Sequence, residues 1–556
     1  MKWAGSNPDD FSPGYRFKRL RRDGNRWSVL TLAIVLFLAL PVLFIGVELF
    51  AGPGETWPHI VEHLLADYIG NSLFLIAACG VLVFVLGVST AWLVSRYEFP
   101  GRRHFEWLLI LPLAIPSYIV GYAYAGIFDY GGSLELILRF FGLAPFRIDV
   151  MNRFGLAFVL AISLFPYVYV SARAFFVYQA NNLLEASKVL GAGEGRSFFR
   201  LILPLGRPAI VAGMVLVMME VLNDYGTAAY YGVSTFTTGI FRSWFSLEEP
   251  HSAVYLSAVL LALVFILISL EKWLRREIRF STARGNAPPL LRKKPGKYAR
   301  TALSAAVFTP VLLGFILPLA QLVYWAFLTA DRVFDASLIS LSVQSFAIAF
   351  GAALLTVALA VMLIYSSKWN VLASVRSVAR IGVLGYAIPG AVIAIGIMLP
   401  TLALDKWMIG VAERLCDMDV GLLINGSVAA LLYAYCVRFL AVAYNPVEAT
   451  TEKVSDAIPD SSKVLGVGRL RTLLRIEFPL IKTGLISAVI LVFVDVLKEL
   501  PLTLILKPHH VNTLAVKAYE YASDEMVMES AIPSLFIIFT AMLPIVLLNR
   551  MSRVEA

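Results

Sequence analysis

Four acidic residues stand in two apolar stretches of this chain of 556 residues: Glu220 and Asp224 in Met219-Glu-Val-Leu-Asn-Asp-Tyr-Gly-Thr227, and Asp495 and Glu499 in Val494-Asp-Val-Leu-Lys-Glu-Leu-Pro-Leu502. The two pairs are copies, because 495 − 220 and 499 − 224 both equal 275. Carboxylates at such positions, with Tyr225, Tyr230 and Tyr231 beside them, can attract a cation to an oxygen-lined path. They can equally cap broken helix ends, bond freed backbone near Gly226 and Pro501, or pair across the halves with Lys498 neutralising one of them. If the segment enters a bilayer near Pro208, a rise of about 1.5 Å per residue puts Glu220 roughly 18 Å and Asp224 roughly 24 Å inside. An ionised group at that depth costs about 2.5 to 3.5 kcal/mol or more, so it faces a polar cavity or a partner rather than lipid.

Other reactive residue types offer less. His59-Ile-Val-Glu62-His63 has the H-x-x-E-H spacing of an inverted zinc protease. Nothing nearby supplies a third ligand, so catalysis and metal binding are not expected there. His509 and His510 read as a solvated loop pair. Cys79, Cys416 and Cys436 lack metal-ligand spacing, and Cys79 and Cys436 fall inside apolar runs where packing is their role. No G-x-x-x-x-G-K-[ST] loop occurs, and Gly191-Ala-Gly193-Glu-Gly195 has no strand before it. The chain is therefore expected to hold no catalytic residue, no metal and no cofactor of its own.

The elements that must position the acids are membrane helices. With 59% hydrophobic residues, 15% charged residues and a mean hydropathy of +0.76, a chain of this length cannot cover a water-facing surface. Membrane lipid is its solvent. The net charge of +9 lies in loops and tails, as the positive-inside rule requires, and implies no nucleic acid. Apolar runs fall near 27–50, 71–95, 106–128, 154–178, 207–231 and 251–271, then near 302–327, 342–365, 379–402, 421–444, 481–506 and 530–549. Each is about the 20 residues that a bilayer core demands.

This gives an all-α polytopic chain with a basic tail (1–26), a first six-helix domain (27–271), a basic linker (272–300) and a second six-helix domain (301–556). The tail carries Arg16, Lys18, Arg19, Arg21, Arg22 and Arg26, and the linker holds ten Lys or Arg against one Glu. Both are expected on the cytoplasmic side, and twelve crossings would leave both termini there.

One polar, punctuated stretch occurs twice. Asn182–Ile210 contains Ser-Lys-Val-Leu-Gly, twelve residues, then Pro-Leu, and the stretch from Pro459 repeats it. Glu185, Gly191 and Pro204 match Asp460, Gly466 and Pro479, each displaced by 275. The apolar spacing predicts a short amphipathic helix over 182–190, stopped by Gly191, then a second over 196–203 that ends at Pro204 and Pro208. Both elbows follow an even number of crossings, which places them on the cytoplasmic face. Ala114-Ile115-Pro116 and Ala387-Ile388-Pro389 extend the duplication, so the halves are parallel repeats.

The elbow resembles the EAA loop of membrane subunits of binding-protein-dependent ABC importers. The first copy reads Glu185-Ala186-Ser187, Gly191 and Leu201-Ile202-Leu203-Pro204; the second reads Asp460-Ser461-Ser462, Gly466 and Ile476-Glu477-Phe478-Pro479. The resemblance implies the type I ABC importer permease architecture and assigns Glu185, Ala186, Gly191, Pro204, Asp460, Ser461, Gly466 and Pro479 to coupling with an ATPase. Phe165–Arg173, Met219–Gly226, Val233–Ile240 and Ala518–Glu525 look most like the fused permeases of ferric-iron uptake. That likeness implies a bacterial inner-membrane subunit with two ATPase copies below and a periplasmic binding protein above. Related fused permeases carry thiamine or other small solutes. An ion-coupled secondary transporter would need no such elbow.

Overall fold

The computed structural model describes residues 26–144, 148–189, 191–275, 292–369, 373–416, 421–455 and 457–554. The basic tail up to residue 25 and linker residues 276–291 lie outside them, as does the side chain of Cys416. Apart from an isolated bridge between Tyr97 and Lys293, regular structure among the described residues is helical. Hydrocarbon explains this, since a helix satisfies its own backbone where no water can.

Nine helices among the described residues are long and apolar enough to cross a membrane. Two bent pairs pass the same test when each is taken as one span: Arg102–Ala114 with Ser117–Phe140 at 91°, and Glu194–Leu205 with Arg207–Asn223 at 66°. The twelfth apolar run falls on a shorter apolar helix, Ala531–Ile545. The bends have chemical causes. Pro116 removes a donor after the tight turn Leu111–Ala114, and Gly206 separates Leu203–Leu205 from Arg207–Asn223.

Packing divides the chain differently from the repeat. One compact unit comprises Met1–Val47, Phe346–Ile388 and Gly396–Val496; the other comprises Glu48–Ser345, Pro389–Ile395 and Leu497–Ala556. In the first unit the helix Arg26–Glu48 belongs with second-half helices. Thr31 Oγ1 donates to Ser366 Oγ at 2.8 Å, Tyr433 Oη donates to the Phe37 carbonyl at 2.5 Å, and the rings of Trp27 and Trp369 meet edge to face. In the second unit Leu65–Arg96 packs along Arg153–Val189 at a small-residue contact, where a Cβ on Gly87 would lie 2.7 Å from Val168 Cβ. Without a hydrophobic drive between helices in lipid, such close backbone approach supplies the attraction.

Acids hold several connecting loops. Asp405, almost fully buried, accepts from the backbone N–H groups of Leu423, Ile424 and Asn425 at 2.7–3.2 Å. Glu249 accepts from the N–H groups of Glu55 and Thr56 and from the hydroxyls of Thr56 and Ser252.

Candidate functional site

The two elbows share one backbone. Gly191 and Gly466 both sit at φ +74, where an L side chain is strained and glycine is not. Each stop is closed by the same capping bond: Ala192 N–H reaches the Ser187 carbonyl at 3.0 Å, and Val467 N–H reaches that of Ser462 at 2.9 Å. A second short helix follows in each copy, Glu194–Ser197 and Arg469–Thr472, and each widens into one π-turn, Phe198–Ile202 and Leu473–Glu477. Every one of these boundaries is displaced by 275, as 469 − 194 and 473 − 198 show.

The flanks differ from the sequence expectation. The first elbow has no separate helix over 182–190, because Arg153–Val189 runs unbroken from the fourth span. No glycine or proline stands between Val177 and Gly191 to stop it. The second elbow does have a separate helix, Ala457–Val464, parted from Val428–Thr451 by a turn. Pro204 lies inside the short helix Leu203–Leu205 rather than ending it, and Pro479 occupies the second position of Phe478–Leu497.

Among the coupling residues, Glu185 is exposed, and Asp460 is exposed and paired with Lys463 at 2.7 Å. Ser461 Oγ donates to the Ala457 carbonyl at 2.7 Å. Ala186 lies on the helix Arg153–Val189, its side chain outside the described residues.

One anchor of the first elbow was not read from the sequence. Glu194 accepts from Arg96 at 2.6 Å and from Lys293 at 3.2 Å, and the Lys293 backbone bonds to Arg96 and Glu98 on either side of Tyr97. The Arg96 hydrogen bond, aided by Lys293 and opposed by burial, holds the Glu194 carboxyl below the usual carboxylate range. Next to it, Arg102 pairs with Glu98 at 3.2 Å and with Glu106, and Arg173 pairs with Glu106 at 3.2 Å.

The intramembrane acids fall at two helix breaks. Arg207–Asn223 ends at Asp224, and the chain restarts as Gly226–Tyr230; Phe478–Leu497 ends before Glu499 and restarts as Pro501–Leu506. Asp224 accepts from Ser117 Oγ and Thr227 Oγ1, both at 2.7 Å, and from Ala228 N–H at 3.0 Å. Glu499 accepts from Leu502 N–H at 3.3 Å. Both acids thus cap the restarted helices, one of the two roles that the sequence leaves open. Glu220 and Asp495 are half-buried and lie one turn earlier on their helices.

Both breaks meet inside the second unit. Asn223 Oδ1 accepts from Gly390 N–H at 2.7 Å, and a Cβ on Gly226 would lie 2.6 Å from Leu500 Cδ2 and 3.0 Å from Tyr118 Cβ. Ser117 and Gly390 are themselves repeat partners, each the first residue after Ala-Ile-Pro. Tyr225 stacks on Phe241 with ring centroids 3.6 Å apart, and its hydroxyl meets that of Tyr519 at 3.1 Å. Tyr231 donates to the Gly121 carbonyl at 3.1 Å, and Tyr124 to that of Leu313 at 2.9 Å. The hydroxyls of Tyr118 and Tyr122 are buried and have no hydrogen-bond partner among the described residues, a state that costs about 1–3 kcal/mol per group unless something else satisfies it. Only the i, i+4 spacing of these two residues could have marked them in the sequence.

Toward the loops after the third and eleventh spans, the same unit opens a cavity of about 670 Å³ lined by Asp129, Asp149, Tyr230, Trp325, Glu525 and Glu529. Among the described residues no group of three or more His, Cys, Asp or Glu could hold a metal ion. His59 and His63 lie on the short helix Trp57–His63 with ring centroids 4.7 Å apart, and His509 and His510 are exposed in a turn.

Comparison with known proteins gives this geometry a context. Residues 83–280 and 374–554 each match the model of the binding-protein-dependent transport system inner membrane component. The Fe(3+)-transport system permease protein FbpB 2 of Haemophilus influenzae is 26% identical over 94% of this chain and 98% of its own length. The sulfate transport system permease protein CysT of Escherichia coli is 27% identical over 44% of this chain and 88% of its own length. The spermidine/putrescine transport system permease protein PotB of Haemophilus influenzae is 25% identical over 45% of this chain and 93% of its own length. Two copies of the family domain, covering more than half of the residues and each containing one glycine-stopped elbow, mean that the chain belongs to the inner membrane components of binding-protein-dependent transport systems.

Proposed function

We propose that this chain is the translocation subunit of an ATP-driven importer of ferric iron, delivered from outside by a periplasmic binding protein. The observation that carries the cargo is the extent of one likeness: the Fe(3+)-transport permease aligns with nearly the whole chain, whereas the sulfate and polyamine permeases each align with less than half. Hydrolysis takes place on two copies of a separate ABC ATPase. The chain is not an enzyme and needs no cofactor.

The elbows built on Glu185, Ala186, Gly191 and Pro204, and on Asp460, Ser461, Gly466 and Pro479, receive the ATPase on the cytoplasmic side. There they lie with the basic linker and both termini. They transmit closure of the ATPase into rocking of the halves 27–271 and 301–556. Glu220, Asp224, Tyr225, Asp495 and Glu499 line the path. The acidic cavity around Asp129, Asp149, Glu525 and Glu529 supports a cation as cargo, because a concave acidic surface raises the local cation concentration.

The test is radiolabelled ferric uptake in a strain lacking this subunit. Wild-type chain is expected to restore ATP-dependent uptake, and Glu220→Ala with Asp495→Ala to reduce it about tenfold or more in a folded complex. Uptake driven by an ion gradient without ATP would overturn the mechanism. Restored uptake of sulfate, spermidine or thiamine in place of iron would reassign the cargo.

A further inference from the structure

The two helix breaks are built on one plan, yet their side chains differ in a way that the plan does not require. In the first copy the residues after Ala114-Ile-Pro116 put Tyr118 and Tyr122 on one face of the helix Ser117–Phe128. In the second copy the same positions, displaced by 273, are Ala391 and Ile395, both fully buried. Tyr225 has Leu500 as its counterpart. Apolar side chains therefore suffice to fill these places, and the three hydroxyls are additions to the fold rather than parts of it.

The surrounding tyrosines divide by what their hydroxyls do. Those of Tyr124 and Tyr231 are tied to backbone carbonyls, the ordinary use of a buried phenol. Those of Tyr118 and Tyr122 have no partner among the described residues. The Tyr118 and Tyr122 rings are 5.8 Å apart, and Tyr122 lies edge to face against Tyr230, which lines the acidic cavity. Tyr122 is within electrostatic reach of Tyr118, Tyr519, Tyr230 and Asp224, and Tyr118 of Glu499. The rings thus run from the cavity, through Tyr230 and Tyr122, to Tyr118 beside Gly226, where both broken helices meet.

We propose that Tyr118 and Tyr122, with the Tyr225–Tyr519 hydroxyl pair, form an oxygen-donor step in the translocation path that receives a partly dehydrated hard cation as it passes between the two helix breaks. Oxygen ligands suit hard cations, and Asp224 and Glu499 supply negative charge nearby. The same acids disfavour an oxyanion at this point. The absence of a permanent partner fits a site that must release what it binds, since a path conducts only if no step holds its cargo tightly. The inference rests on the ferric-iron reading.

The test uses the full complex of this chain, its ATPase and its binding protein, with radiolabelled ferric iron as the probe. Tyr118→Phe with Tyr122→Phe keeps both rings and removes both hydroxyls. Uptake is expected to fall about tenfold or more, with no drop in melting temperature and with the ATPase still co-purifying. Tyr124→Phe, which breaks an internal hydrogen bond to the Leu313 carbonyl, is expected to lower the melting temperature and leave the uptake per folded complex within about twofold. Uptake by the first variant within about twofold of wild type overturns the proposal, as does a melting temperature lowered as far as in the second. A wild-type complex that moves no ferric iron defeats the cargo assignment and this step with it. A wild type that moves iron beside an unaffected double variant defeats this step alone.

Discussion

The first and second elbows have the same path from Gly191 to Ile202 and from Gly466 to Glu477, but they are attached to the rest of the protein by different means. The first grows without a break out of Arg153–Val189, is clamped by Arg96 and Lys293 through Glu194, and enters its next span through a 66° bend at Gly206. The second is set off from Val428–Thr451 by a turn and has Arg469 where Glu194 stands. It continues straight into Phe478–Leu497, because Ile481 replaces Gly206. Under the coupling proposed above, what is shared is the surface offered to the two ATPase copies. What has diverged is the anchoring, which each elbow must find in its own neighbourhood. On that proposal, duplication keeps a shape where a partner reads it and lets the supports drift.

The largest effect should come from breaking what the two copies share. Gly191→Val with Gly466→Val places branched side chains at φ +74, at a cost of about 1–2 kcal/mol or more per site. The double variant is expected to lose co-purification with the ATPase and at least tenfold of uptake. Equal losses from the two single variants would mean that the elbows contribute alike, and unequal losses would rank them.

A smaller effect should come from exchanging what differs. Glu194→Arg gives the first elbow the residue of the second and leaves Arg96, almost wholly buried, facing a like charge. A melting temperature several degrees lower and about threefold slower uptake are expected. The reciprocal Arg469→Glu, at an exposed position, should change the melting temperature by no more than about a degree. Equal responses would erase the proposed division between shared surface and private support.

The smallest effect concerns acid. The Glu194 carboxyl titrates lower in the folded chain than in the unfolded one, so the stability it adds is complete above the unfolded value of about 4.3. That contribution disappears as pH falls through the folded value. The melting-temperature difference between wild type and Glu194→Gln should therefore be constant near neutral pH and shrink below about pH 4, with no matching trend for the second elbow.

Much of this was legible in the residues. The glycine stops, the spacing of 275, the apolar runs and the breaks near Gly226 and Pro501 all follow from local chemistry, because φ preference and helical period act over a few residues. Three features were not. The fourth span runs on through residue 182 because its polar residues lower helix propensity without ending a helix. The Arg96–Glu194–Lys293 tie joins residues about a hundred positions apart, and such a contact leaves no periodic trace. The first span packs with second-half helices for the same reason: Thr31–Ser366 and Phe37–Tyr433 are pairings that only the folded chain brings about.

The π-turns at Phe198–Ile202 and Leu473–Glu477 each accommodate one residue more than an α-turn would hold. A helix with such a surplus can lose a single amino acid at that spot and close up into ordinary geometry, keeping the facing of everything downstream. The same loss in a regular stretch would rotate the remainder by about 100°. Each half of the molecule thus carries, just before its penultimate span, one position where shortening is absorbed locally.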